Sequence, residues 1–353
     1  MYKLSLNFPA PKHGDTTLSL IFAYIGIVSI LIMSLNARWI GERLGVMDHP
    51  NSEGHKSHSV PTPLVGAIMV GGLALLVIAN HYVFNASGRM VGVSVCTIMV
   101  GILGLFDDRL RLSWKIRLFL IAAICSLLVF WIPEMRVDSL VWSFGQTSFL
   151  GPIAGAIFSV LCLMTLVISV NMMDGFNGNV IGFTIIILVC MAFVATNPHR
   201  QAICLFLASA LGLMFVYNLK GEFFLGDGGA YSLGLLLGAL ALLTYNADAN
   251  VTIYADTIFT WLALPTLDCL RVVIFRALKK NSPFFASKDH LHHVLIAAVG
   301  PTVTLCILAG TVAFYSTMAI FAGDKTYLVF LLQFLTFALF FYLIPSKRHQ
   351  REP

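Results

Sequence analysis

The sequence predicts an all-α fold: a polytopic membrane bundle of about eleven transmembrane helices, with its N-terminus outside and its C-terminus in the cytoplasm. Composition is the first reason. Hydrophobic residues make up 58% of the 353-residue chain and charged residues 11%, and the mean hydropathy is +0.86, far from the averages of soluble domains. The second is a series of apolar stretches close to the length that crosses a bilayer. The third is an asymmetry of positive charge across those stretches.

The spans run over 18–40, 64–84, 91–106, 116–132, 153–172, 180–196, 202–219, 229–245, 255–275, 301–322 and 327–345. The first follows a mostly polar segment, is too long for a signal-peptide core and lacks a small-residue cleavage site, so it reads as a retained helix. The second follows the polar loop Gly41–Pro63, the third runs into Asp107-Asp108-Arg109, and the fifth runs into Asn171–Gly175. The seventh leads to Phe224-Leu225-Gly226-Asp227-Gly228-Gly229, which opens directly into the eighth. The ninth carries Asp268 and leads through the Lys279–His293 loop to the last two. No polar run is long enough for a second domain. Residues 1–17 therefore form an outer N-terminal segment, 18–345 the membrane domain and 346–353 a cytoplasmic tail. All seven cysteines lie in apolar runs without a CxxC pair, as small buried hydrophobes do.

With the N-terminus outside, sixteen of the twenty-two Lys and Arg fall on inner loops and helix ends, leaving Lys3, Lys12, Arg89, Arg136, Arg200 and Lys325 outside. An odd span count is needed to bring the C-terminus inside, and eleven is odd. The same count puts every polar island on the inner face: Asp107-Asp108, Asn171–Asp174, Phe224–Asp227, His290-Leu291-His292-His293, and the first loop with Lys56 and His58. Carboxylates, an amide and histidines gathered at one interface indicate a membrane enzyme that handles charged substrates.

Adjacent Asp107 and Asp108 repel unless a cation is near. Alone they read as a solvated helix end, but Asp174 and Asp227 join the same surface. Hard oxygen donors favour Mg²⁺ or Mn²⁺ over zinc. The glycine turn around Asp227 allows close backbone approach, and free N–H groups at a helix start suit a phosphate, although glycines also serve helix packing. His290, His292 and His293 lack nearby cysteines and sit by Asp289 and Lys288, which suggests an anion site. Arg109, Arg111, Lys115 and Arg117 read equally as topogenic charge or as a polyanion guide. Asp268 is either an intramembrane functional group or an ion pair with Arg271, one turn away. The pattern suits phosphoryl transfer from a nucleotide-linked donor to a lipid phosphate, with no role for nucleic acid. The rival is an ion-coupled transporter, which would place such groups near mid-membrane in repeated halves.

From about Gly45 to Val294 the chain resembles the polyprenyl-phosphate N-acetylhexosamine-1-phosphate transferases. The resemblance rests on Asp48-x-Pro50-Asn51, Lys56-x-His58, Pro63-Leu-Val-Gly66, Asp107-Asp108-Arg109 with Lys115-Ile116-Arg117, Asn171-Met-Met-Asp174-Gly175, Phe224-Leu-Gly-Asp227 and His290-Leu-His292-His293. The short loop between the ninth and tenth spans is similar to the branch that starts common-antigen and O-antigen synthesis. The resemblance implies transfer of HexNAc-1-phosphate, in that branch GlcNAc-1-phosphate, from a UDP-sugar to undecaprenyl phosphate, releasing UMP. It also implies the bacterial inner membrane, a periplasmic N-terminus and a cytoplasmic active site; homodimerisation stays open. By the same resemblance Asp227 and Asn171 would hold Mg²⁺, and Phe224 would stack on uracil, with Lys56 and Asn177 fixing the base. Arg117 would contact phosphate, Asp107 and Asp108 would orient or deprotonate the lipid phosphate, and Asp174 and the three histidines would lie against the substrate. Two departures stand out. The family reads Asp-Gly-x-Asp-Gly where this chain has Asn177, and the loop before Lys56 is two residues longer, with His55 at a usually basic position.

Overall fold

The computed structural model describes residues 13–50, 60–84, 88–247, 253–278 and 289–343. Every predicted span overlaps a helix, as it must where no water is present to satisfy backbone groups. The helices are α1 (His13–Leu35), α2 (Ala37–Leu44), α3 (Gly66–Phe84), α4 (Gly88–Leu110), α5 (Trp114–Trp131), α6 (Gly151–Met173) and α7 (Asn179–Val194). They continue as α8 (Pro198–Leu219), α9 (Gly226–Tyr245), α10 (Ala255–Leu278), α11 (Leu291–Val299), α12 (Pro301–Ala322) and α13 (Thr326–Leu343). The fold is an all-α polytopic membrane bundle. Among the described residues seven helical segments are long and apolar enough to cross a membrane, the segment 301–341 counting once, and α1 with α2 would make an eighth. Gly66–Asn80 and Asn179–Val194 are apolar but shorter.

Two expectations need correction. The stretch 18–40 is not one rod: the chain bends by 70° between α1 and α2. At the break Asn36 turns its side-chain amide back to the Ile32 carbonyl at 2.8 Å, and the sequence changes there from uniformly apolar to amphipathic. The histidines, read as loop, begin a helix instead. His290 is the N-cap of α11, and Leu291 and His292 are buried in its first turn.

The core is organised around α9, which is apolar on all sides and buried almost from end to end. It packs chiefly against α4 and α6, with α3 and α7 beside it. Small residues allow this, as they do between helices in lipid generally. Gly104 of α4 meets the backbone of Gly228 so closely that a Cβ at Gly104 would overlap it, and Gly234 lies against the backbone of Val167 in α6. Five of the seven cysteines are buried, as expected of small hydrophobes, while Cys306 is exposed.

Away from the polar islands, a hairpin of β3 (Ser139–Val141) and β4 (Thr147–Phe149) closes the bundle; it follows β1 (Met47–Asp48) and β2 (Thr62–Pro63), which pair near α2. Tyr245 at the end of α9 donates its hydroxyl to the Ser139 carbonyl and accepts the Val141 N–H. Buried Asp256 accepts the Ser143 N–H at 3.1 Å and its hydroxyl.

Candidate active site

Four of the five islands meet at one end of the bundle, confirming that they share a face. The fifth, with Lys56, lies outside the described residues.

The two adjacent aspartates at the end of α4 have different surroundings. Asp107 is 3% exposed and accepts from Arg117 Nη1 at 2.8 Å, from the Leu112 N–H at 2.9 Å and from the Tyr231 hydroxyl at 3.1 Å. It therefore sits behind Arg117 and fixes it. Asp108 faces a large polar cavity and spans to the start of α9, accepting the Asp227 N–H at 3.1 Å and the Gly228 N–H at 3.4 Å. A carboxylate there satisfies orphan donors of the helix and favours its dipole. This corrects the idea that the glycine turn offers free N–H groups: those of Asp227 and Gly228 are already taken. The glycines serve approach instead. Gly226 has φ +69°, and a Cβ on it would lie 2.9 Å from Asp108 Oδ2.

Asp227, in the first turn of α9, accepts from Asn171 Nδ2 at 2.8 Å and lies 4.0 Å from Arg117 Nη1. Asn171 comes from the last turn of α6, whose C-cap is Asp174. Withdrawal from water, and then the Asp227 and Asp108 carboxylates, push the Asp174 carboxyl up to about 8. Four carboxylates, Asp48, Asp108, Asp174 and Asp227, thus border one cavity of about 990 Å³, together with Asn171, Asn177 and Phe224. Among the described residues no group of three or more His, Cys, Asp or Glu is arranged to hold a metal ion.

Phe224 is held by its backbone, which donates to the Pro63 carbonyl at 2.9 Å. The turn carrying Asn177 is tied down by Asn218 of α8, which accepts the Gly178 N–H at 2.7 Å and donates to the Phe223 carbonyl at 2.9 Å. Buried Asn218 therefore couples the turns bearing Asn177 and Phe224.

The histidines border a second cavity of about 280 Å³, with Arg117, Arg276 and the apolar Trp114, Leu118 and Ile121; Asn171, Asp174 and Gly175 line both cavities. His290 and His292 stack at 5.7 Å between ring centroids, and His293 lies 4.1 Å from His292. His292 is 2% exposed, and its ring fills the space a side chain would need at Gly175. Burial, and then His293 and His290, hold its imidazole down at about 3, so it is neutral at physiological pH. All the expected residues except Lys56 thus lie in this region. Sequence reasoning missed Tyr231, Asn218, Arg276 and Trp114. Asn218 had a usable signal, an amide that ends the largely apolar run 202–217 of α8. Tyr231 follows Asp227 by one turn and carries a polar tip that a buried helix must satisfy.

Residues 90–245 match the model of glycosyl transferase family 4. Over 281 residues, 77% of this chain and 76% of the other, the chain is 26% identical to a Bacillus subtilis protein named probable undecaprenyl-phosphate N-acetylglucosaminyl 1-phosphate transferase. It is 24% identical to the undecaprenyl-phosphate alpha-N-acetylglucosaminyl 1-phosphate transferase of Yersinia pestis over 336 residues, 92% of this chain and 88% of that one. With the protein of that name from Escherichia coli K12 it shares 25% over 273 residues, 74% and 72% of the two chains. The matched segment spans α4 to α9, the helices that bring Asp107, Asp108, Asn171, Asp174 and Asp227 together, so the similarity to glycosyl transferase family 4 falls on the part of the chain that carries the site.

Proposed function

We propose that this protein transfers N-acetylhexosamine-1-phosphate, with GlcNAc as the sugar, from a UDP-sugar to undecaprenyl phosphate and releases UMP. The observation that carries the reading is the pair of cavities sharing the wall Asn171-Asp174-Gly175. One is large, polar and bordered by carboxylates; the other combines cationic and histidine side chains with an apolar wall. The relatives named above, each a transferase onto undecaprenyl phosphate by name, support it. A transporter finds no support, since the carboxylates cluster at helix ends on one face.

In this reading the UDP-sugar occupies the larger cavity, with Phe224 against uracil and Asn177 at its polar edge, where an amide can both donate and accept. The acceptor phosphate enters the smaller cavity beside Arg117 and the histidines, its prenyl chain leaving along Trp114, Leu118 and Ile121. A phosphate oxygen of the acceptor attacks the phosphorus bearing the sugar, a new P–O–P bridge forms, and the bond to UMP breaks with its oxygen leaving on UMP. Such transfers need little covalent help and depend on positioning and charge neutralisation. Arg117, held by Asp107, supplies a fixed positive charge within 4.0 Å of Asp227, whereas Asp108 borders the donor's cavity.

Mg²⁺ or Mn²⁺ fits these residues. Hard oxygen donors, the carboxylates of Asp108, Asp174 and Asp227 and the amide of Asn171, border one cavity, and such donors suit these ions. Mg²⁺ binds through one or two protein oxygens, completing its shell with water and phosphates, so no dense protein cage is needed. Asp227 and Asn171 would hold it, and bound there it would neutralise charge developing on the pyrophosphate.

Purified protein should release UMP only when UDP-GlcNAc and undecaprenyl phosphate are both present, and EDTA should stop release until Mg²⁺ is restored. Absence of UMP with every UDP-HexNAc tried would rule the reading out.

The same reading places the site in the cytoplasm, with eleven crossings in the bacterial inner membrane. Exposed Ser113, between Asp108 and Arg117, checks it. A cysteine at position 113 should react with an impermeant maleimide in inverted vesicles and stay unlabelled in intact spheroplasts; the opposite pattern would turn the site to the periplasm.

A further inference from the structure

We propose that Asp268 is a positioning residue that sets the tautomer of His290, so that His290 presents Nε2 to the smaller cavity; this rests on the transfer reading above. Asp268 lies within α10, is 7% exposed and divides its two oxygens. Oδ1 accepts from Arg271 Nη2 at 2.9 Å and from the Leu291 N–H at 3.1 Å. Oδ2 lies 2.8 Å from His290 Nδ1. A plain ion pair between Asp268 and Arg271 would leave Oδ2 idle or turned to water. Instead it meets a buried histidine that lines a cavity with Asn171 and Asp174.

An ionised carboxylate only accepts, so His290 Nδ1 must carry the proton. The remaining nitrogen, Nε2, then faces the cavity as an acceptor, or as a donor once the ring is protonated. Arg271 strengthens the device in two ways. Its charge stabilises the ionised form of Asp268, and its guanidinium also donates to the Asp289 carbonyl, next to His290 in the chain. Stacked over the Phe341 ring, 3.8 Å from its centroid, the guanidinium has little freedom to leave. Carboxylate, arginine and the N-terminus of α11 thus hold the imidazole in one orientation, as an orienting group does for a catalytic base or acid generally.

The isosteric change Asp268→Asn separates this role from mere support. Arg271 and the Leu291 N–H retain the remaining oxygen, so the new NH₂ falls opposite His290 Nδ1. That nitrogen must then accept, and the ring proton moves to Nε2. In ¹⁵N-histidine NMR of the purified protein, with His290→Gln identifying the signals, wild type should show a protonated Nδ1 and a bare Nε2, and Asp268→Asn the reverse. UMP release should fall about a hundredfold in kcat, the scale of losing a positioned acid or base, with the KM for UDP-GlcNAc little changed. In a His290→Ala background, Asp268→Asn should cost nothing further, because both act through one imidazole. A wild-type proton on Nε2, an unchanged kcat in Asp268→Asn, or additive losses in the double variant would each overturn the proposal. Should Asp268→Asn fail to fold, the wild-type spectrum still decides. Should the wild type release no UMP, the transfer reading falls while the spectra still decide the pair.

Discussion

Replacing Asp227 by Ala should abolish turnover while the protein stays folded and inserted. Asp227 belongs to the large cavity, the Asn171 amide and the Arg117 guanidinium at once. Removing it deletes the only carboxylate in the first turn of α9 and the anionic ligand proposed for the cation. The main-chain N–H groups capped by Asp108 remain, so the helix start survives. Loss of one fixed electrostatic partner at a reacting centre costs on the order of 10²–10³ in kcat, and loss of the cation with it should deepen the effect. A kcat within about tenfold of wild type, a change of about 1.4 kcal/mol in the barrier, would remove Asp227 from the chemistry.

Arg117→Ala should be the most damaging single change to stability at the site, as well as inactivating. Asp107 is 3% exposed, and Arg117 is the cation that compensates it, at 2.8 Å. Removing one partner of a buried pair strands the other, at a cost of roughly 3–5 kcal/mol. The Tyr231 hydroxyl and the Leu112 N–H still donate to Asp107, but neither supplies charge. Thermal unfolding in detergent should therefore show a large drop in Tm for Arg117→Ala. The double variant Asp107→Asn with Arg117→Met, which removes both charges, should recover much of that stability without recovering activity. If Arg117→Ala melts like wild type, the pair contributes nothing to stability. If the double variant turns over normally, Arg117 has no part in transfer.

The helices were legible because lipid leaves a chain few options: apolar runs of spanning length become helices, and all eleven predicted runs overlap one. The shared face was legible for a related reason. Alternating direction along the chain assigns each end to a side, so Asp107-Asp108, Asn171–Asp174, Asp227 and the histidines could be grouped before any contact was known. What periodicity and counting do not carry is the work of individual atoms. Nothing in the pair Asp107-Asp108 says that one accepts from Arg117, Tyr231 and Leu112 while its neighbour caps α9; that difference arises from where α5 and α9 cross α4. The 70° break after α1 was hidden because Ala37–Leu44 still carries Trp39, Ile40 and Leu44, enough to extend an apolar window. The start of α11 was hidden because three histidines in four residues look like loop until Asp268 is found 2.8 Å from His290 Nδ1 and accepting from the Leu291 N–H. Asp268 reads in the sequence as either a functional group or an ion pair with Arg271, and in the structure it touches both histidine and arginine.

The burial of α9 bears on where motion can occur. Amide groups in the most enclosed helix of a bundle exchange with solvent only through large-scale opening, whereas peripheral elements open locally at lower free energy. Asp227 rides on that enclosed helix, and Asp108 is clamped to its first turn. Any opening that the proposed transfer needs to admit its substrates therefore belongs to parts of the bundle less enclosed than α9. The centre of the reaction behaves as an anvil, and the substrates are brought to it by the parts that can yield.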